Sequence, residues 1–392
     1  MSELARGKTF RMIHDTQSIP LVDLKKQYQS IKTEIDEAIQ SVLDSQQFIL
    51  GSEVSEFEKE ISTYCKVKYA IGVSSGSDAL LVALMALGIK PGDEVITSSY
   101  SFFATAGAIA RLGAKPVFVD IEAESYNIDP NKIEELITSR TKAIIPVHLY
   151  GQMANMNEIS KIAKENSIGL IEDAAQSIGA DINGLTAGSL GKMGCFSFFP
   201  TKNLGAYGDG GLVTTNNDQI AKKLLSLRNH GFSKKYHSEI LGGNFRLDSM
   251  QAAILNVKLR YLDNWINKRQ SNANIYKNLF INQTNLTKNQ PIPKITLPIE
   301  IAGYKHVYNQ FVLRVTNRDK LYNYLKKNHI GSEIYYPIPL HQQTCFNQFN
   351  DGIKNLAESE AASKETIALP IYPEMTESMI KKVVTTIAEF YS

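Results

Sequence analysis

Ile168-Gly169-Leu170-Ile171-Glu172-Asp173-Ala174-Ala175-Gln176 reads as a short apolar strand that runs straight into two acids. A run of this length with no polar alternation is the pattern of a strand covered on both faces. The same pattern recurs upstream at Ala70–Val73, Glu94–Thr97, Pro116–Val119 and Ala143–Val147. Helical periodicity lies between the runs, at about 78–88, 104–112, 130–138 and 155–166. Strands alternating with amphipathic helices imply βα units and a largely parallel sheet with helices on both faces. Two more strands fit Cys195–Phe199 and Gly211–Thr215, so the expected class is α/β.

Outward from this centre, residues 20–64 carry helical spacing, with Ile31, Ile35, Ile39 and Val42 three or four apart. A long helical stretch at about 247–279 leads toward a second unit, and the Asn/Gln/Pro-rich segment 282–298 reads as a loop. Beyond it the pattern is a smaller α+β unit. It holds a strand at 308–315, a helix at 319–328, an extended segment at 335–339, and helices at 357–367 and 376–390. The expected organisation is therefore a tail at 1–19, a large domain at 20–260 and a small C-terminal domain at 261–392.

Charge narrows the function classes. The 42 basic and 40 acidic residues leave a formal net charge of +2, without the clustered basic surplus of a nucleic-acid binder. Cys65, Cys195 and Cys345 have neither metal-ligand spacing nor a disulfide framework, which suits a reducing compartment and no metal centre. No apolar run approaches the ~20 residues of a membrane span, and residues 1–16 contain no signal-peptide core. The expectation is a cytoplasmic protein whose anionic ligands are held by local geometry.

Open parallel sheets bind ligands at the carboxyl ends of their strands, and several of those places are chemically unusual. After Val73 come Ser74-Ser75-Gly76-Ser77-Asp78 and a helix start, which suits a phosphate dianion. A simple capped turn would look the same. After Ile171, Asp173 is either a helix cap or a buried carboxylate that keeps a pyridine nitrogen protonated. Gln176 is three residues on, in reach of the same ring's phenolic oxygen. In Cys195-Phe196-Ser197-Phe198-Phe199-Pro200-Thr201-Lys202-Asn203-Leu204-Gly205, the aromatic neighbours would bury Lys202. Burial lowers a lysine pKa from about 10.4 and leaves the neutral amine that Schiff-base formation requires. Ser197 adds a hydroxyl beside the phosphate site.

Ser75-Gly76-Ser77-Asp78-Ala79-Leu80, Glu172-Asp173-Ala174-Ala175-Gln176, Ser197 to Gly205 and Gly208-Asp209-Gly210-Gly211 together resemble one family. It is the fold-type I, aspartate-aminotransferase-like enzymes often called DegT/DnrJ/EryC1/StrS, pyridoxal 5'-phosphate aminotransferases that act on nucleotide-linked oxo-sugars. The resemblance runs from about Pro20 to the C-terminus. It implies that Lys202 carries the cofactor and shuttles protons, that Asp173 pairs with the pyridine nitrogen, and that Gln176 contacts the ring hydroxyl. It further implies that Phe102 stacks on the ring and that Gly76, Ser77 and Ser197 cradle the phosphate. Ser77 stands where the family often has threonine; both offer a hydroxyl. Asn244, in Gly243-Asn244-Phe245-Arg246-Leu247-Asp248, resembles an asparagine that reaches the phosphate of the neighbouring subunit, which implies a homodimer with shared active sites. Tyr335, Tyr336 and His341 resemble the sugar-nucleotide loop, and His306 another substrate-proximal position.

The resemblance implies ping-pong transfer from L-glutamate to the oxo carbon. His148-Leu149-Tyr150-Gly151-Gln152 is most similar to members that aminate C3 of a dTDP-3-oxo-6-deoxyhexose, giving a 3-amino-3,6-dideoxy sugar; the 4-oxo sugar is the alternative. Related sugar dehydratases have histidine in place of Lys202. A nicotinamide dehydrogenase would need a Gly-x-Gly-x-x-Gly after the first strand, which is absent. A binding or regulatory protein on the same fold is the non-enzyme alternative.

Overall fold

The structure, a computed structural model, describes residues 18–282, 294–349 and 356–392. Most of the expected N-terminal tail and the middle of the expected 282–298 loop lie outside the described residues.

The apolar runs assemble into a seven-stranded sheet. Its strands are β1 (Tyr69–Val73), β2 (Glu94–Ser98), β3 (Lys115–Val119), β4 (Thr141–Ile145), β5 (Gly169–Asp173), β6 (Met193–Ser197) and β7 (Gly211–Thr215). Their order is β1-β7-β6-β5-β4-β2-β3. Only β7 is antiparallel to its neighbours; the remaining pairs are parallel, as the βα alternation predicts. The pleat sends adjacent side chains to opposite faces. Ile96 and Ile144 therefore join one apolar cluster, with Phe57, Phe196 and Leu255, while Val95 and Ile145 join another, with Leu84 and Val213.

Helices α1 (Leu24–Ser30), α2 (Lys32–Ser45) and α3 (Ser52–Tyr64) precede the sheet. Among the helices that cover it are α4 (Gly76–Leu87), α5 (Phe103–Arg111), α6 (Met156–Glu165) and α7 (Asp218–Leu227). The α4 sequence is apolar on every side, and residues Ala79 to Leu84 are all buried, as such a helix requires.

The expected helix at 247–279 is two helices, α8 (Ser249–Leu259) and α9 (Leu262–Asn282). Helix α9 joins two cores. Its Leu262 and Ile266 pack in the first cluster, while Ala273, Tyr276 and Phe280 pack in a third. That third core covers a small antiparallel sheet of β8 (Ile295–Thr296), β9 (Phe311–Val315) and β10 (Thr366–Leu369). It is covered by α10 (Arg318–Lys327) and α12 (Glu377–Tyr391), with α11 (Ala357–Glu365) alongside.

Two further expectations change. The expected 357–367 helix stops at Glu365, because Thr366 and Ile367 enter β10 opposite Arg314 and Leu313. Residues 130–138 form two short 3-10 turns. The β-branched Ile133, Ile137 and Thr138 are weak helix formers, and Thr138 donates its hydroxyl to Glu94 at 2.6 Å.

Candidate active site

The site grows from the carboxyl ends of β1, β5 and β6. Gly211 on β7 is in register with both Val73 and Ser197. A Cβ on Gly211 would lie 2.3 Å from the Ser75 carbonyl and 2.8 Å from the Gly76 nitrogen, so glycine there lets the turn after β1 close against β7. Gly76 is equally confined, since its Cβ would sit 2.6 Å from Ser197 Cβ and 3.0 Å from Ser197 Oγ. Ser75 caps α4 by accepting the Asp78 amide at 3.1 Å. The N–H groups of Gly76 and Ser77, in the first turn, have no intrahelical acceptor. The result is a helix start and a serine hydroxyl meeting where added side-chain bulk is excluded, an arrangement suited to a phosphate.

Asp173 ends β5 and is 4% exposed. Thr105 on α5 donates its hydroxyl to Oδ2 at 2.7 Å, and the Ala175 amide donates to Oδ1 at 3.2 Å. Burial raises the Asp173 pKa against those two bonds and the nearby charge of Lys202. Among the described residues no cation forms an ion pair with it. A buried carboxylate surrounded by neutral donors is suited to a cationic ligand group, and a protonated pyridine nitrogen is one.

Lys202 is half-buried on the turn after β6, its own amide donating to the Phe199 carbonyl at 2.9 Å. Phe196, Phe198 and Leu204 are buried around this turn, whereas Phe199 is exposed. Burial lowers the Lys202 pKa to about 8, opposed by Asp173. Two features under the turn were invisible in sequence. Asn203 donates to the Val307 carbonyl at 2.9 Å. Lys258 on α8, 1% exposed, donates to the Gly205 carbonyl and lies over the rings of Tyr207 and Trp265.

Gln176 is held at both ends. Its Oε1 accepts the Tyr150 amide at 2.6 Å, which fixes the amide's orientation, and its Nε2 donates to the Tyr336 hydroxyl at 3.1 Å. Phe102, exposed at the start of α5, has its ring centroid 6.1 Å from that of Tyr336. Tyr335 packs beside Tyr336, and its carbonyl accepts from the hydroxyls of Tyr100 and Tyr150. Asp173, Lys202, Gln176, Phe102 and Tyr336 are thus linked by contacts or electrostatic coupling.

Asn244 is exposed and paired by backbone with Asn229, and the carbonyl of the next residue, Phe245, accepts the Ser74 amide at 3.0 Å, so its segment runs beside the turn after β1. His306 is 5% exposed; its ring stacks on Tyr308 at 3.9 Å, and its Nδ1 accepts the Tyr308 amide at 2.9 Å. Burial drops its pKa to about 3, against the pull of Glu300. His341 bridges Ser99 Oγ at 2.6 Å and Glu360 Oε1 at 3.3 Å. Both imidazoles thus bond within the protein. Next to Asp173, Glu172 and His148 are fully buried and 2.9 Å apart. His148 Nδ1 accepts the Ala154 amide, so Nε2 carries the proton donated to Glu172.

The sequence matches the DegT/DnrJ/EryC1/StrS aminotransferase family over residues 29–388. It is 48% identical over 374 residues to a "Pleiotropic regulatory protein" of Geobacillus stearothermophilus, covering 95% of this chain and 99% of the relative. It is 43% identical to the dTDP-3-amino-3,6-dideoxy-alpha-D-galactopyranose transaminase of Aneurinibacillus thermoaerophilus, with 95% and 99% covered. The crystal structure of DesV from S. venezuelae in complex with a ketimine intermediate superposes with a TM-score of 0.90 at 37% identity, covering 95% of this chain and 98% of that one.

Proposed function

The chain belongs to the DegT/DnrJ/EryC1/StrS aminotransferase family, and from that membership we propose that it moves an amino group from L-glutamate to C3 of a dTDP-linked 3-oxo-6-deoxyhexose. It is a pyridoxal-phosphate-dependent aminotransferase. The observation that carries the proposal is the half-buried Lys202, its pKa lowered to about 8, within electrostatic reach of a buried Asp173 that has no cation of its own.

When bound, pyridoxal phosphate supplies an electron sink that stabilises negative charge at the carbon losing its proton. In this reading Asp173 keeps the pyridine nitrogen protonated, with Thr105 fixing the carboxylate. Gln176 presents its Nε2 donor to the ring hydroxyl from the orientation set by Tyr150. Phe102 would cover one face of the ring, and Gly76, Ser77 and Ser197 would hold the phosphate together with Asn244 from the partner of a homodimer. Lys202 would take the α-proton of glutamate and pass it to the cofactor, and in the second half-reaction would carry a proton from the cofactor to the sugar carbon, a task that suits an amine whose pKa is lowered to about 8. Tyr335 and Tyr336 meet the sugar. His341 acts through the loop it holds, since both of its ring nitrogens serve internal bonds, whereas His306 uses Nδ1 alone for an internal bond. The division at about residue 260 fits this scheme, and the chemistry suits the cytoplasm; among the described residues no helix is long and apolar enough to cross a membrane.

Support for C3 comes from the named activity of the Aneurinibacillus relative. The name of the Geobacillus relative favours a second, regulatory reading. One experiment separates them. The protein is purified with pyridoxal phosphate, L-glutamate is added, and the visible cofactor band is followed. After bleaching, dTDP-3-oxo- and dTDP-4-oxo-6-deoxyhexoses are offered separately. Recovery of the band with the 3-oxo sugar alone is expected. Recovery with the 4-oxo sugar alone overturns the choice of carbon, and a protein that forms no cofactor band supports the regulatory reading.

A further inference from the structure

Lys258 is a buried titratable group that the transfer reaction leaves unused. It sits in the last turn of α8, is 1% exposed, and donates its amine to the Gly205 carbonyl. Among the described residues no carboxylate forms an ion pair with it. Two other features support the charge. The rings of Tyr207 and the buried Trp265 have their centroids 5.0 and 6.0 Å from the amine, within the range of cation–π attraction. The carboxyl end of a helix also favours a cation. The compensation is incomplete, because burial still lowers the Lys258 pKa to about 8, against the pull of Glu374. A buried amine without a carboxylate is costly, and an apolar side chain of similar length would usually cost less. Packing alone therefore gives no reason for a lysine here.

The group it holds supplies the reason. Gly205 ends the turn that carries Lys202, three residues after it. A Cβ on Gly205 would fall 2.3 Å from the Pro200 carbonyl oxygen, so the two sides of the turn meet there. The Ala206 amide closes the same turn by donating to the Phe198 carbonyl at 2.8 Å. Side chains from outside then fasten it. Asn203 ties it to the Val307 carbonyl at 2.9 Å, and Lys258 ties Gly205 to α8. Gln251, seven residues before Lys258 and so two helical turns away on the same face, accepts the Tyr207 amide at 2.8 Å. One face of α8 thus grips residues 205 and 207. Proton transfer is sensitive to such placement, since a displacement of about 1 Å can cost about a hundredfold in rate.

We propose that Lys258 is a positioning residue for amino transfer: its amine anchors the Gly205 carbonyl to α8 and so fixes the turn from which Lys202 moves protons. The inference rests on the reading of Lys202 as the cofactor-bearing lysine and adds what holds that lysine in place.

The test is Lys258→Met, which keeps most of the side chain's length and removes the donor and the charge. In the holoenzyme, the rate at which saturating L-glutamate bleaches the cofactor band should fall about tenfold or more. The glutamate KM should stay within about threefold of wild type, because the substrate's own contacts are untouched. With glutamate deuterated at the α-carbon, the isotope effect on bleaching should be at least as large as in the wild type, since the slowed step is the proton transfer. In the cofactor-free protein, amide hydrogen exchange over residues 198–206 should quicken while β5 keeps its protection. An unchanged bleaching rate, a smaller isotope effect, a loss confined to KM, or unchanged exchange over 198–206 would each overturn the proposal. Should Lys258→Met fail to fold, Lys258→Gln, polar but one bond shorter, should show the same slowed step, and a wild-type rate in it would overturn the proposal. Borohydride label missing from the Lys202 peptide of the wild type would instead remove the underlying reading, a result distinguishable because it needs no variant.

Discussion

Asp173 is stabilised for chemistry at the expense of the cofactor-free fold. Burial raises its pKa above the ordinary 3.8, so the native state holds the proton more tightly than the unfolded chain does. Native stability therefore falls as pH rises from about 3.8 through the elevated native value, and the full penalty is present at neutral pH. Asp173→Asn removes the charge while keeping an oxygen to accept from Thr105. Cofactor-free Asp173→Asn should melt above cofactor-free wild type at pH 7.5, while its turnover should drop by about two orders of magnitude or more. A lower melting temperature for the variant would mean that the carboxylate is satisfied without a ligand. Asp173 and Lys202 were legible because they follow strand ends, where an acid or a crowded lysine stands out. Thr105 and Lys258 were not. Thr105 sits in an ordinary apolar helix sequence, and a lysine at a helical position such as 258 normally reads as solvated; only the packing over Tyr207 and Trp265 shows otherwise. His341 stood out as a chemical residue type, yet its nitrogens are engaged by Ser99 and Glu360, which the sequence does not bring together; His306 spends its Nδ1 on the amide of Tyr308, two residues on.

The junction of β1, α4, β6 and β7 is an element-scale device, because two glycines set how closely α4 approaches β6. Gly76→Ala places a Cβ 2.6 Å from Ser197 Cβ, so α4 must shift, at a cost of about 1–3 kcal/mol. The affinity for pyridoxal phosphate, measured by the cofactor's absorbance on titration, should fall about tenfold or more. Adding Ser197→Gly relieves the overlap and should recover part of the helix position, seen as a melting temperature above that of the single variant. Strict additivity in that double-mutant cycle would contradict the contact. The strands of the large sheet were legible to within two or three residues, since a buried parallel strand announces itself as an apolar run. Two-residue pairings were not. Asp181–Ile182, which pairs with Leu185–Thr186 and Tyr304–Lys305, gives no periodic signal. The Thr366–Leu369 strand was absorbed into the preceding helical pattern.

At the scale of the whole molecule, the small unit completes the site by carrying Tyr335 and Tyr336 to Gln176. Asp120, after β3, secures that placement: its Oδ1 accepts the Ser359 amide at 2.8 Å and hydroxyl at 2.7 Å, and its Oδ2 accepts the Glu358 amide at 3.1 Å. Asn244, exposed at the surface, is assigned to a partner's site. Mixing two impaired variants, Lys202→Ala and Asn244→Ala, tests the assignment. In a two-fold dimer half of the randomly mixed pairs are heterodimers, each with one intact site, so activity should recover toward about a quarter of wild type. No recovery after subunit exchange would place Asn244 outside any shared site. The alternation of strands and helices made this architecture readable in one dimension, whereas the meeting of residues 120, 176, 336 and 359 depends on how two cores dock.

The most direct test of Lys202 as the cofactor-bearing residue is borohydride reduction of the holoenzyme followed by peptide mapping. Two lysines, the half-buried Lys202 and the buried Lys258, have pKa values lowered to about 8, so low basicity alone does not choose between them. Position does. Lys202 follows the strand end next to Ser197, whereas the amine of Lys258 donates to the Gly205 carbonyl. The reduced cofactor is expected on the peptide containing Lys202 and not on that containing Lys258. Label on Lys258, or on no lysine, would contradict it.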